Sequence, residues 1–114
     1  MSESVNKKID FSKVYKCGKS YANRYLVMYI LKNELTYNRL GMSVSKRVGN
    51  SVIRHRITRL IRESFRLNDE ALKKGYDIVV VARAGAKGRN YSEISSAFMH
   101  LSGLHNIKEE MIIS

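Results

Sequence analysis

A chain of 114 residues with 44% hydrophobic content has the size of one domain and can fill one modest core, which excludes a pair of independently folded units and a wholly disordered chain. Its formal charge of +11, from 21 Lys and Arg against 10 Asp and Glu, calls for a polyanionic partner and sets the isolated fold against its own repulsion. A single cysteine, Cys17, excludes an internal disulfide and a cysteine-based metal cluster. The opening M-S-E-S-V-N-K-K has no signal-length apolar core and the longest apolar run, Ile78 to Ala82, is far short of a bilayer, so one soluble cytoplasmic domain is expected over 1–114, with an ordered core of about 9–104.

Asp10 is placed to cap a short helix that presents Phe11, Val14 and Tyr15 at i, i+3, i+4 and stops at Gly18. From Tyr25 to Leu31, Y-L-V-M-Y-I-L is apolar on both parities; its shortness and aromatic content favour a strand. Arg39 to Ser45 alternates Leu40, Met42 and Val44 with polar or small residues, which predicts a half-buried strand hairpin-paired with the one before. Gly49-Asn50 breaks that strand, and with Asn50 or Ser51 as N-cap a helix runs to about Leu67. Ile53, Ile57, Leu60, Ile61, Phe65 and Leu67 form its apolar arc, while His55, Arg59, Arg62 and Arg66 fall within about 60° of one another on the opposite side. The β-branched run Y-D-I-V-V-V-A-R predicts a central strand. After the A-G-A-K-G-R-N loop, Ser92 is expected to cap a last helix that buries Ile94, Ala97, Phe98 and Leu101. The tail from His105 shows no strong pattern. The reading is one α+β domain ordered α-β-β-α-β-α, with room for a further short strand at Lys19 to Ala22.

Between Arg39 and Arg66 stand eight basic residues, Arg39, Lys46, Arg47, Arg54, Arg56, Arg59, Arg62 and Arg66, against one acid, Glu63. Arginine forks match phosphate oxygens bidentately, and a solvated surface helix would interleave more acids at i+4, so the pattern points to a nucleic-acid backbone. Phe11, Tyr15, Tyr25 and Tyr29 are aromatic faces near this charge; they suit either a stacking platform for unpaired bases or the core. His55, His100 and His105 lack metal-ligand spacing, the acids do not cluster, and no phosphate-loop signature surrounds Gly85 and Gly88, so no catalytic residue and no protein-bound cofactor are expected.

The string S-V-S-K-R-V-G-N-S-V-I-R-H-R-I-T-R-L-I-R-E-S-F-R resembles the signature of the protein subunit of bacterial ribonuclease P. The likeness extends to I-D-F-S-K-V-Y-K-C-G-K-S-Y-A-N-R upstream and Y-D-I-V-V-V-A-R downstream. It implies a mixed sheet packed by helices in the order α-β-β-β-α-β-α, a ribosomal protein S5 domain 2-like fold. In that fold the arginine helix makes a left-handed βαβ crossover, where general rules favour a right-handed one. It implies a ribonucleoprotein that removes the 5′ leader of precursor tRNA, one protein monomer per RNA, with magnesium held by the catalytic RNA subunit. Lys46, Arg47, Arg54, His55, Arg56, Arg59, Arg62 and Arg66 would then bind RNA, and Phe11, Tyr15, Tyr29 and Thr58 would line the leader cleft.

Two positions depart from the family pattern: His55 stands where an asparagine is usual between two arginines, and Thr58 where a basic residue is common. The competing expectations are a general RNA-binding or ribosome-associated protein with no part in tRNA cleavage, and a duplex-DNA regulator, which lacks a helix-turn-helix partner.

Overall fold

The computed structural model describes residues 9–109; M-S-E-S-V-N-K-K and the last five residues lie outside them. Three helices and four strands follow in the order α1 (Phe11–Cys17), β1 (Lys19–Ala22), β2 (Leu26–Lys32), β3 (Arg39–Ser43), α2 (Ser51–Asn68), β4 (Tyr76–Ala82) and α3 (Tyr91–Leu104), with single 3-10 turns at Asp69–Ala71 and Ala84–Ala86. This is the α-β-β-β-α-β-α order, with the short strand at Lys19–Ala22 present.

The sheet runs β1-β2-β4-β3, antiparallel except for the parallel pair β3 and β4. The expected hairpin between β2 and β3 is therefore corrected. Asn23 closes a tight turn by accepting from the N–H groups of Tyr25 and Leu26, which makes β1 and β2 the hairpin. The strand apolar on both faces, β4, takes the centre, and the half-polar β3 becomes an edge joined to β4 through α2. β3 also ends two residues early, because Ser45 turns the chain: its carbonyl accepts from Val48 and its hydroxyl from Arg47.

Leu26, Met28, Ile30, Leu40, Ile78, Val80 and Ala82 point to the side covered by α2 and α3, and are all buried. From the helices, Ile57, Ile61, Ile94, Phe98 and Leu101 complete that core, at most 1% exposed. Asn50 caps α2 through the N–H of Ile53. Leu67, expected on the apolar arc, is 54% exposed. It lies near a right angle from the Ile57–Ile61 direction, whereas Ser64 lies within it and is buried, its hydroxyl donating to the Leu60 carbonyl. The cap of α3 is Asn90, not Ser92: Asn90 accepts from the N–H of Glu93, whose carboxylate accepts from the N–H of Asn90. That backbone donor, joined by Arg89, holds the Glu93 carboxyl below its ordinary pKa.

Gly18 ends α1, but at φ −80° it needs no left-handed conformation. A Cβ there would lie 2.5 Å from the Val14 carbonyl oxygen and 2.9 Å from that of Ile30, so the requirement is space. The segment after α3 has a pattern after all. Asn106 at φ 61° lets the N–H of Ile107 reach the Ser102 carbonyl and buries the Ile107 side chain, the usual left-handed helix ending. His105 bonds the Met28 carbonyl at 2.8 Å, and burial lowers its pKa.

On the other side of the sheet, Arg39 binds Asp77 through two 2.7 Å bonds, and Asn33 donates to the same carboxylate at 2.9 Å. The Arg39 and Asp77 side chains are 18% and 7% exposed, so Arg39, one of the eight basic residues of the stretch, joins β3 to β4. Asp77→Ala would strand a guanidinium with little water, and should lower unfolding free energy in urea by about 2–4 kcal/mol. Glu63→Ala, which breaks an exposed pair with Arg66, should barely move the urea midpoint. Equal losses would contradict this distinction.

Candidate nucleic-acid interface

The register lays three rows across the open face of the sheet. The first is Ala22, Val27, Val81 and Ser43; the second is Ser20, Tyr29, Val79 and Gly41; the third holds Leu31, Asp77 and Arg39. α1 sits over the second row: Val14 and Ile9 pack on Val79, and Phe11, Tyr29, Leu31 and Val81 gather around them. Phe11 approaches β3 so closely that a Cβ on Gly41 would lie 2.6 Å from its Cζ. Glycine at 41 is what lets the ring lie against the strand.

Phe11, Tyr15 and Tyr29 form a chain of edge-to-face contacts, with centroids 6.2 and 4.9 Å apart. Tyr15 is 40% exposed, and Phe11 and Tyr29 are half-buried. Each ring packs, and together they stand along one side of the first row. That row, with exposed Ala22 and half-buried Val27, Val81 and Ser43, is an open and partly apolar strip of the sheet, the trough. The β3 end of the trough leads into the turn carrying Lys46 and Arg47, both exposed.

The arginines of α2 are divided among three directions. His55, Arg59 and Arg66 are exposed on the outer face, with Arg62 half-buried beside them. Arg54 turns to one flank, where its Nε donates to the Val44 carbonyl and where Val44, Ser51, His55 and Thr58 complete a small recess. Thr58 is thus found in the recess with Arg54, its hydroxyl donating to the Arg54 carbonyl at 2.9 Å. Arg56 turns to the other flank and donates to the Arg89 carbonyl. Arg66 forms a forked pair with Glu63, which holds the Glu63 carboxyl below its usual pKa and Arg66 above its own. Arg59, exposed on the outer face with the His55 imidazole one turn before it, is well disposed toward a phosphate backbone.

Tyr25 does not share the trough with Tyr29. It packs against the helix-side core, and the Arg89 guanidinium lies 5.5 Å from its ring centroid. Sequence reasoning also missed Val27 and Val81 as the trough floor. The signal was present in the apolar character of both parities of β2, one parity serving the core and the other the trough. Arg83 was missed as well; following β4, it donates to the Asn23 carbonyl and stays exposed. Among the described residues no group of three or more His, Cys, Asp or Glu is arranged to hold a metal ion, and no helix is long and apolar enough to cross a membrane.

Comparison with known proteins gives a consistent result. The family model described as Ribonuclease P matches residues 1–104. The chain is 69% identical to the ribonuclease P protein component of Lachnoclostridium phytofermentans over 94% of this chain and 92% of that one. It is 50% identical to the corresponding protein of Clostridioides difficile over 88% and 89% of the two chains. Among solved structures, the ribonuclease P protein of Staphylococcus aureus superposes with a TM-score of 0.80 at 35% identity, covering 96% of each chain. That of Thermotoga maritima gives 0.80 at 31% identity, over 90% and 97%.

Gly41→Ala forces the Phe11 ring off β3. It should lower unfolding free energy by about 1–3 kcal/mol, the usual cost of overpacking, as read by urea titration. An unchanged midpoint would mean that the ring does not depend on this close approach.

Proposed function

The chain belongs to the ribonuclease P protein family and is the protein component of a bacterial ribonuclease P, the enzyme of tRNA 5′ maturation; from that premise we propose that its trough receives the single-stranded leader of precursor tRNA while α2 and the preceding turn hold the catalytic RNA subunit. The observation that carries the reading is the open first row of the sheet, walled by Phe11, Tyr15 and Tyr29 and continuous with the Lys46–Arg47 turn. Unpaired bases stack on such rings for about 1–3 kcal/mol each, and every base has a face to offer, so leaders of different sequence fit. Lys46, Arg47, Arg54, His55, Arg56, Arg59 and Arg62 supply cations and polar donors along the adjoining surface. Arg66, shared with Glu63, contributes less. Thr58 borders this surface beside Arg54 and replaces a charge with a hydroxyl.

In this division of labour the protein positions RNA and lowers the repulsion between two polyanions. Phosphodiester hydrolysis belongs to magnesium ions held by the RNA subunit, and no side chain of this chain acts as acid, base or nucleophile. One monomer per RNA, working in the cytoplasm, is sufficient for the proposed contacts. The relatives give no support to the alternative of a general RNA-binding protein without a role in tRNA cleavage.

Reconstitution tests this directly. Purified protein alone should leave precursor tRNA intact, and added to its cognate RNA it should restore cleavage at magnesium concentrations where the RNA alone is nearly inactive. Cleavage by the protein alone, or no stimulation, would overturn the proposal. Arg59→Ala should weaken assembly with the RNA and reduce the slope of log affinity against log salt by about one. An unchanged slope would remove Arg59 from the phosphate contacts.

A further inference from the structure

A second assembly of cations lies apart from the outer face of α2, at the end of the sheet where β4 gives way to α3. The loop from Arg83 to Asn90 is clamped between the Asn23–Tyr25 turn and α2. Arg83 donates from its backbone to the Tyr25 carbonyl and from its guanidinium to the Asn23 carbonyl. Gly85 packs so tightly on the Arg24 carbonyl that a Cβ would come within 2.8 Å, and Arg56 ties Arg89 to α2. Arg24, Arg56, Arg83 and Lys87 are exposed around this clamp. Glu93, beside them, has its carboxylate occupied by the N–H of Asn90 and the guanidinium of Arg89. The field at this end is positive.

Next to these cations a groove of about 520 Å³ runs between the Asn23–Tyr25 turn and the first three turns of α3. Tyr25 and Ala97 give it an apolar side, Ser92, Ser96 and His100 a polar one together with Glu93, whose carboxylate is already engaged by Asn90 and Arg89, and Arg24 stands at its edge. Asn23 holds the two walls together and sets the polarity of the groove. Its Oδ1 accepts from two backbone N–H groups, so its Nδ2 must be the atom facing the Ala97 carbonyl and His100 Nδ1. His100 Nδ1 is then an acceptor, and Nε2 carries a proton available for donation. The groove is therefore an open cleft with an aromatic side chain, hydroxyls able to donate or accept, one imidazole donor, the engaged carboxylate of Glu93, and guanidinium groups outside for a phosphate.

We propose that this groove is a second RNA site that takes one unpaired nucleotide, its base between Tyr25 and the Ser92–Ser96–His100 side and its phosphates against Arg24 and Arg83. The inference rests on the RNA-binding reading above but not on the trough or on the outer face of α2. An unpaired nucleotide combines the two properties the groove meets, a flat face bearing edge donors and acceptors and an attached anion. It joins the surface of α2 to the far side of the β1–β2 hairpin, so RNA follows the molecule further than the arginine helix alone would carry it.

The test uses the reconstituted holoenzyme with two substitutions at exposed positions, Arg24→Glu and Ser96→Glu, each of which adds a carboxylate to the groove. Thermal unfolding of the free proteins checks that each is folded. The expected result is a loss of about tenfold or more for both Glu variants. A loss in protein affinity for the RNA subunit assigns the nucleotide to that RNA. A loss confined to precursor tRNA with a long leader assigns it to the substrate. Parent-like assembly and parent-like affinity for long and short leaders in both folded Glu variants would overturn the site. A parent protein that fails to stimulate the RNA would instead contradict the proposed function, so the two failures are distinguishable.

Discussion

Burial of β4 on both faces is the constraint from which the rest of the molecule follows. Ile78, Val80 and Ala82 face α2 and α3, while Val79 faces α1, and none of the four is more than 6% exposed. Fully burying one such side chain is worth about 1.5–3 kcal/mol, so a strand with two apolar faces is driven to the sheet centre and must be covered twice. The helix side is covered by two long helices and is closed. Among the described residues the other side is covered by Ile9 and the two turns of α1, which reach across the second row but leave the first row open. The trough is the uncovered remainder of a surface that the central strand makes necessary.

Charge is arranged around the same frame. Ile57 and Ile61 anchor α2 to the core and so aim His55, Arg59 and Arg62 outward, while the cap at Asn50 fixes where the helix begins relative to the Lys46–Arg47 turn. Arg39 is withdrawn from the surface by Asp77, and Arg66 is shared with Glu63. What is left is a set of cations distributed over the outer face, two flanks and the turn, all on one rigid helix and its approach. A fold of net charge +11 gains stability when a polyanion occupies such a surface, since binding offsets self-repulsion and favours the folded state by mass action. In the proposed arrangement the rings hold the leader by stacking while the cations hold the RNA subunit.

Much of this was legible in the sequence because it depended on local chemistry. The cap at Asp10, the Gly-Asn break before α2, the Ile57–Ile61 side of the helix and the buried run of β4 are short-range signals, and the structure has them. Pairing was not local. Nothing in residues 25–45 distinguishes a hairpin between β2 and β3 from the observed insertion of β4 between them; that choice is made by the core demand of a strand thirty residues later. For the same reason Arg39 counted only as one more charge of the basic stretch until Asp77 was placed beside it. The resemblance supplied the rings as a cleft and the arginines as a contact surface, but it did not reveal that Arg54 and Arg56 leave the helix on opposite flanks. The Arg83–Asn90 clamp was also out of reach, because its residues come from three separate segments. Some errors were of a simpler kind: Asn90 with Glu93 is as plain a capping pair as any in the chain, and Asn106 before Ile107 is a recognisable helix ending.

The central claim is that the ring-walled trough holds the leader while the catalytic RNA does the chemistry. The most direct test is the ratio of holoenzyme affinities for leader-bearing precursor tRNA and for leaderless tRNA, compared between the parent protein and Tyr15→Ala, whose side chain is the most exposed of the three rings. The account predicts a ratio that favours the leader-bearing RNA in the parent and falls by about fivefold or more in the variant, the loss of one stacked base, with leaderless affinity unchanged. A ratio that survives the substitution, or an equal loss for both RNAs, would contradict it.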